Sequence, residues 1–105
     1  MPEPLFLIVT IRPDRGRLQE AAEQLGRMRE ASLQEEGCVS MTLLQEVDDR
    51  TDTWVMVEEF VSREAWDEHM ASDHNRRGNE LLEPLLRERS TLQLLHRHPI
   101  NAVPN

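Results

Sequence analysis

Two histidines and one glutamate are the side chains of this sequence best suited to acid–base chemistry. His69 and His74 lie five positions apart in the segment REAWDEHMASDH, residues 63–74, and Glu58 precedes them. A neutral imidazole can accept a proton near neutral pH. Five positions on a continuous helix correspond to about 500° of rotation, so the two rings could not share one metal ion. If the helix breaks near Ser72, the rings could converge instead.

Four large apolar side chains accompany these polar groups. Strand alternation in the run TWVMVEEFV places Trp54, Met56 and Phe60 on the same face as Glu58, and Trp66 follows shortly after. Such side chains could form the walls of a cavity for a flat aromatic molecule. Packing in an ordinary hydrophobic core would explain the same pattern.

Glu58 and the two histidines also have structural explanations. A carboxylate on an apolar face must be paired, protonated or located at an interface, and an ion pair with Arg12 or Arg97 would satisfy it. One histidine could cap a helix while the other stays in solvent. The residues alone do not decide between these structural roles and a catalytic role for Glu58 and the two histidines.

A metal site receives little support from the pattern. His96 and His98 share one face of the last predicted strand, but no third ligand follows at a suitable spacing. We therefore predict no metal ion.

The periodicity along the chain predicts the order strand, helix, strand, strand, helix, strand. Asp14 is the predicted N-cap of the first helix and Gly37 its predicted C-terminal cap, while Ser62 can cap the second helix. The predicted strands lie at residues 5–12, 38–46, 53–61 and 90–98. This order is the split βαβ arrangement of an α+β, ferredoxin-like fold with an antiparallel sheet.

Length and charge limit the architecture and the partners. The chain of 105 residues suffices for a single domain, 1–105, with a core at about 5–98 and a short tail at 99–105. Its first and third strands are apolar on both faces, so a second copy of the chain is the economical cover for the sheet. The net charge of −8 opposes binding to nucleic acid and to anionic membranes. We predict a homodimer.

The sequence contains no signal for export or membrane insertion. It has no 18-residue apolar stretch and no basic region ahead of its first apolar run. The single cysteine, Cys38, fits a reducing compartment. We therefore predict a cytoplasmic protein.

Two longer segments carry a resemblance to a known family. EEGCVSMTLLQE and VMVEEFVSREAWDEHMASDH contain the spine E-x-F-x-S-x-x-A-x-x-x-H-x-x-S-x-H, which runs from Glu58 to His74. This order resembles the antibiotic biosynthesis monooxygenase (ABM) domain family, and the resemblance covers roughly residues 5–98. It implies a dimeric α+β barrel with a pocket between sheet and helices in each subunit.

The resemblance also implies a range of chemistry. Its characterised members include cofactor-independent monooxygenases that convert anthrones or hydroquinones to quinones, haem-degrading enzymes and an isomerase of a signalling molecule. This chain departs from several of them: it has no tyrosine, Met41 stands where relatives often have an aromatic residue, and Phe60 stands where many have tryptophan. The haem-degrading branch fits poorly, since its first-strand asparagine is missing and its haem-binding histidine would fall near Asn79.

The leading hypothesis is therefore a cofactor-independent monooxygenase that oxidises a small quinol or anthrone-like aromatic molecule with O2. The predicted catalytic residues are His69, His74 and Glu58, with one of the histidines as the base. The predicted substrate-binding residues are Trp54, Met56, Phe60 and Trp66. The rival hypotheses are a non-catalytic dimer that binds a small ligand or has a structural role, and a small-molecule isomerase.

Overall fold

The secondary structure follows the predicted order, with one helix divided in two. The structure is a computed structural model and describes residues 2–102. The elements are β1 (Leu5–Ile11), α1 (Leu18–Leu33), β2 (Cys38–Gln45), β3 (Trp54–Phe60), α2 (Arg63–Ala71), α3 (Asp73–Leu82) and β4 (Thr91–Leu95), with 3-10 turns at Glu83–Leu85 and Pro99–Asn101. Residues 103–105 of the predicted tail lie outside the described residues.

The four strands form one antiparallel sheet in the order β2-β3-β1-β4. The central pair β1 and β3 aligns from Leu5 opposite Phe60 to Ile11 opposite Trp54. Because β3 lies between β1 and β2, the two strands joined by α1 are parallel but not neighbours, which is the split βαβ unit. The predicted α+β, ferredoxin-like fold is confirmed.

One face of the sheet forms the hydrophobic core with the helices. Strand β3 alternates strictly between buried and half-buried residues, as the period-two pattern predicted. The buried core comprises Leu5, Leu7, Ile11, Ala21, Leu25, Cys38, Met41, Trp54, Met56, Phe60, Trp66 and Leu82. This face therefore contains Glu58 as well, since Glu58 is only 8% exposed.

The opposite face of the sheet is less covered. Ile8 and Val57, which pair with each other at its centre, are only half-buried. Leu44 on the neighbouring strand is 50% exposed. Apolar side chains thus remain accessible on this outer face.

The ends of the first helix differ from the prediction. Asp14 does not cap α1, because its carboxylate accepts a hydrogen bond from the backbone N–H of Gly16 (2.8 Å) and the helix begins four residues later, at Leu18. Gly37 does not end the helix either, since α1 ends at Leu33 and Gln34 follows in a helical conformation. The short-range turn at Asp14 outcompetes the cap that the sequence suggested.

Gly37 instead allows a close approach between two elements. A Cβ atom built on it would overlap the methyl group of Ala65 on α2. Its carbonyl also accepts a hydrogen bond from the N–H of Val61 (2.9 Å). The segment before β2 therefore packs directly against the start of α2, and this contact brings Glu35 close to that helix.

Within residues 2–102, no helix is both long enough and apolar enough to cross a bilayer.

Candidate active site

The break between α2 and α3 sets the geometry of the two histidines. Ser72 adopts an extended conformation, with φ −71° and ψ 148°, between the helices. Its hydroxyl accepts a hydrogen bond from the N–H of Asn75 (3.2 Å) and donates one to the carbonyl of His69 (2.7 Å). The first contact caps α3 and the second ends α2. The break at Ser72 that the sequence left open is therefore present, and it turns His74 back toward His69.

Both imidazoles contact the carboxylate of Glu35. Nδ1 of His69 lies 2.9 Å from Oε2 and 3.1 Å from Oε1 of Glu35, and Nε2 of His74 lies 2.5 Å from the same Oε2. The two ring centroids are 5.8 Å apart. We call Glu35, His69 and His74 the histidine cluster.

The contact with Glu35 orients the ring of His69. An ionised carboxylate only accepts hydrogen bonds, so Nδ1 of His69 carries the proton in this arrangement. Nε2 of His69 has no partner among residues 2–102, where every fully buried side-chain nitrogen and oxygen has one. Nε2 must therefore reach open space, although the whole side chain is only 6% exposed.

His69 lines a cavity between the helices and the core face of the sheet. It has a volume of about 250 Å³, and its lining includes both Glu58 and His69. Its apolar walls include Leu7, Ile11, Leu25, Met28, Met41, Met56, Trp66 and Leu82. We call it the apolar cavity. It combines apolar area with few polar groups, as binding sites for small molecules usually do.

Glu58 contributes a buried carboxyl group with a shifted pKa to the lining of this cavity. Burial, and secondly the negative charge of Glu35, raises the pKa of Glu58 from 4.5 to about 7. The alternative of an ion pair with Arg12 or Arg97 is not realised: Arg12 pairs with Glu88 at 3.5 Å, and Arg97 lies over the ring of Phe6. Glu58 can therefore hold or release a proton near neutral pH without a charged partner.

Cys38 has the opposite character. Burial, followed by the charges of Glu35 and Glu58, raises the pKa of its thiol to about 11. The thiol stays protonated at neutral pH and is a poor nucleophile.

The predicted site residues divide into two groups. Glu58, His69, Met56 and Trp66 all line the apolar cavity. Three others do not belong to that lining. The indole N–H of Trp54 instead donates a hydrogen bond to Asp49 (3.1 Å) in the β2–β3 loop. The ring of Phe60 packs on the ring of His69, with centroids 5.0 Å apart, and His74 belongs to the histidine cluster.

Glu35 is the site residue that sequence reasoning missed. It lies in the EEGC segment that carried the family resemblance, but its partners are 34 and 39 positions away. No periodicity links residues at that distance. The only local signal was the glycine two positions later, which permits the close approach to α2.

A family model named antibiotic biosynthesis monooxygenase matches residues 4–81. The match spans most of the chain and includes Glu35, Glu58, His69 and His74. The chain belongs to the ABM family. The resemblance seen in the sequence is thereby confirmed.

Solved structures agree with the fold of this ABM protein. A conserved protein from Methanosarcina mazei Go1 is 22% identical, with a TM-score of 0.85 over 91% of this chain and 94% of its own. The protein PA3566 from Pseudomonas aeruginosa is 28% identical, with a TM-score of 0.82 over 93% and 97%. A structure named antibiotic biosynthesis monooxygenase is 25% identical, with a TM-score of 0.79 over 95% and 99%. No curated protein matches this ABM chain significantly in sequence.

Proposed function

We propose that this ABM protein is a cofactor-independent monooxygenase that oxidises a small quinol or anthrone-like aromatic molecule with O2. The observation that carries the proposal is the position of Glu58. Its carboxyl group has a pKa near neutral, has no charged partner within residues 2–102, and faces the apolar cavity beside His69. The ABM family and the relative that bears the monooxygenase name give further support.

The apolar cavity suits a small, flat substrate. Its volume of about 250 Å³ lies just below the range of pockets for drug-sized ligands. The indole of Trp66 and the thioether of Met56 offer apolar contacts to an aromatic ring. Such walls also keep water from the reacting anion.

Glu58 is the proposed base. A base with a pKa near the working pH combines a useful ionised fraction with sufficient strength. Ionised Glu58 would take the phenolic proton of a hydroquinone or the C–H proton of an anthrone, which leaves an electron-rich carbanion or phenolate. The proposed role of base thus passes from the histidines to Glu58. Nε2 of His69 is an acceptor in this arrangement and would accept a hydrogen bond from a remaining hydroxyl group of the substrate.

The substrate anion then supplies the electrons to O2. An anthrone methylene becomes a carbonyl by taking one oxygen atom, and the second oxygen atom leaves as water with the two methylene hydrogens. A hydroquinone likewise takes one oxygen atom at a ring carbon and becomes a hydroxyquinone, and the second oxygen atom leaves as water with two of its hydrogens. Both equations balance without a further reductant.

Oxygen uptake by the metal-stripped protein tests this proposal. We expect the wild-type protein to consume oxygen with at least one hydroquinone or anthrone. The rate should be at least about 100-fold lower in Glu58→Gln, because general-base catalysis typically contributes a rate factor of about 100 or more. His96→Ala, at an exposed position in the C-terminal segment, is the matched control and should retain full activity. Undiminished uptake by folded Glu58→Gln would contradict the assignment of the base.

The rival functions give different results in the same experiment. An isomerase would convert its substrate in the absence of O2, with the same dependence on Glu58. A binding protein without catalysis would show ligand-induced changes at Trp66 but no turnover. Either result would contradict the oxygenase proposal.

We also propose that the protein is a homodimer in the cytoplasm, as the sequence predicted. Support for the dimer comes from the outer face of the sheet, where Ile8 and Val57 are half-buried and Leu44 is 50% exposed. A second copy of this face would cover these apolar side chains.

A further inference from the structure

We propose that Glu35, His69 and His74 form a binding site for a divalent transition metal ion, best matched by Zn²⁺. One potential ligand atom from each residue lies within 4.8 Å of the other two. Two imidazole nitrogens and one carboxylate oxygen are a ligand set that Zn²⁺ accepts. The inference concerns binding alone and does not depend on the proposed oxygenase activity.

The three ligands come from three different parts of the fold. Glu35 follows α1, His69 belongs to α2 and His74 to α3, so the site exists only when the helices are packed. Tetrahedral coordination with bonds of about 2.1 Å requires ligand atoms roughly 3.4 Å apart. The nitrogen–oxygen distances of 2.9 and 2.5 Å therefore must widen by less than about 1 Å.

Two of the ligands have the freedom to make this adjustment. The side chain of Glu35 is 23% exposed and that of His74 is 33% exposed. Only His69, at 6% exposure, is held firmly in place. Rotation of Glu35 and His74 would thus open the position between the three ligand atoms without disturbing the core.

A second cavity gives the ion access to the cluster. It has a volume of about 350 Å³ and is lined by Glu35, Glu36, Glu68, His69 and His74, among others. This space provides room for a water molecule as a fourth ligand, which a three-residue site leaves open. Glu36 and Glu68 add negative charge near the opening, which attracts a cation.

The ion would replace the hydrogen-bonded arrangement of the cluster. A metal ion bound at Nδ1 of His69 takes the place of the proton that Nδ1 donates to Glu35. The neutral ring then carries its proton on Nε2 instead. Nε2 is an acceptor without the ion and a donor with it, and His69 is part of the lining of the apolar cavity. Metal binding at the cluster would thus change the hydrogen-bonding character of the substrate cavity.

Equilibrium titration of the metal-stripped full chain with Zn²⁺ tests the proposal. We expect one ion per chain, and an affinity at least about tenfold weaker in Glu35→Gln and in His74→Ala, each of which removes one ligand. Glu35→Gln is nearly isosteric, so it provides a folded variant if His74→Ala is unstable. Circular dichroism checks the fold of both.

The double variant His96→Ala/His98→Ala is the matched control, since it removes two exposed histidines away from the cluster. It should bind Zn²⁺ with unchanged affinity. No binding to the wild-type protein would overturn the site. Binding that is lost only in the control variant, or that survives unchanged in folded Glu35→Gln, would overturn it as well.

Discussion

The rings of His69 and His74 lie 5.8 Å apart at their centroids, although on a continuous helix five positions would separate them by about 140° of net rotation. One extended residue, Ser72, makes the difference. It ends one helix and caps the next, and both rings then meet on the carboxylate of Glu35. The chemistry of this region thus depends on a single interruption of helical geometry.

Ser72→Ala is expected to weaken this arrangement. The substitution removes the cap of α3 and should lower the free energy of unfolding by about 1 kcal/mol. It should also weaken Zn²⁺ binding, because α2 and α3 can then merge and separate the histidines. Ser62→Ala is the control: it removes the equivalent cap of α2 (Ser62 to Ala65, 3.1 Å) but leaves the break intact. Equal Zn²⁺ affinities of the two variants would contradict the role assigned to Ser72.

The pH dependence of oxidation should follow Glu58. Its base form predominates above its pKa of about 7, so kcat/KM should rise as pH increases through 7. Glu35→Gln removes the negative charge that helps to raise this pKa and should move the rise to lower pH. His69 and the protonated thiol of Cys38 are the other titratable groups close to this carboxyl. A profile that is flat between pH 5 and about 9 would contradict the prediction.

The same pKa makes a prediction about stability. The folded-state pKa of Glu58 is raised from 4.5 to about 7, so the unfolded chain loses this proton first as pH increases. The contribution of Glu58 to the free energy of unfolding therefore falls between pH 4.5 and 7 and stays low above pH 7. Glu58→Gln has no carboxyl group to titrate, so its free energy of unfolding does not contain this decrease. The free energy of unfolding of Glu58→Gln minus that of wild type should therefore rise by up to about 3 kcal/mol between pH 4.5 and 7.

Chemical denaturation at several pH values measures this difference, and the comparison of the two proteins removes the effects of all other groups. A stability difference that is constant between pH 4.5 and 7 would contradict the raised pKa.

Gly37→Ala should destabilise the contact between the segment before β2 and α2. The new methyl group overlaps that of Ala65, and overpacking of this kind costs about 1–3 kcal/mol. Ala65→Gly in the same chain should restore part of the loss by removing the opposing methyl group. Gly26→Ala on α1 is the control, because nothing beyond its chain neighbours and the backbone of its own helix lies within 4 Å of the new Cβ. Helix propensity favours alanine there by up to about 1 kcal/mol. Thermal unfolding separates these outcomes.

Val57→Glu tests the dimer. It places a charge at the centre of the outer sheet face, and a charge buried between two copies would prevent their association. Light scattering should give the mass of a dimer for the wild type and of a monomer for Val57→Glu. Val47→Glu, at a fully exposed position in the β2–β3 loop, should remain dimeric. A monomeric wild type would refute the prediction directly.

The sequence predicted β1, β2 and β3 to within about one residue, and in β3 burial on one sheet face enforces a period of two. The alternation from Trp54 to Phe60 is the clearest case, and it determines which residues of β3 face the core. The last strand is shorter than the predicted 90–98, since β4 ends at Leu95, so His96 and His98 do not share a strand face. The ends of the helices were harder to predict. The carboxylate of Asp14 accepts a hydrogen bond from Gly16 instead of capping α1, and the choice between these two hydrogen bonds leaves no periodic signal in the sequence.

The candidate site was only partly predictable. Glu58 stood out as a carboxylate on an apolar face, and Ser72 marked the break between the helices. Glu35 did not stand out, since its role depends on contacts with residues more than 30 positions away. Trp54 looked like a cavity wall, yet its indole N–H bonds to Asp49, because a polar atom on a buried ring needs a partner.

The placement of the two tryptophans has an optical consequence. The chain contains no tyrosine, so its near-ultraviolet fluorescence comes from Trp54, fixed beside Asp49, and Trp66, in the wall of the apolar cavity. Trp54→Phe leaves a single emitter, and its spectrum then depends only on what surrounds Trp66. The molecule carries an intrinsic fluorophore that reports whether its cavity is occupied.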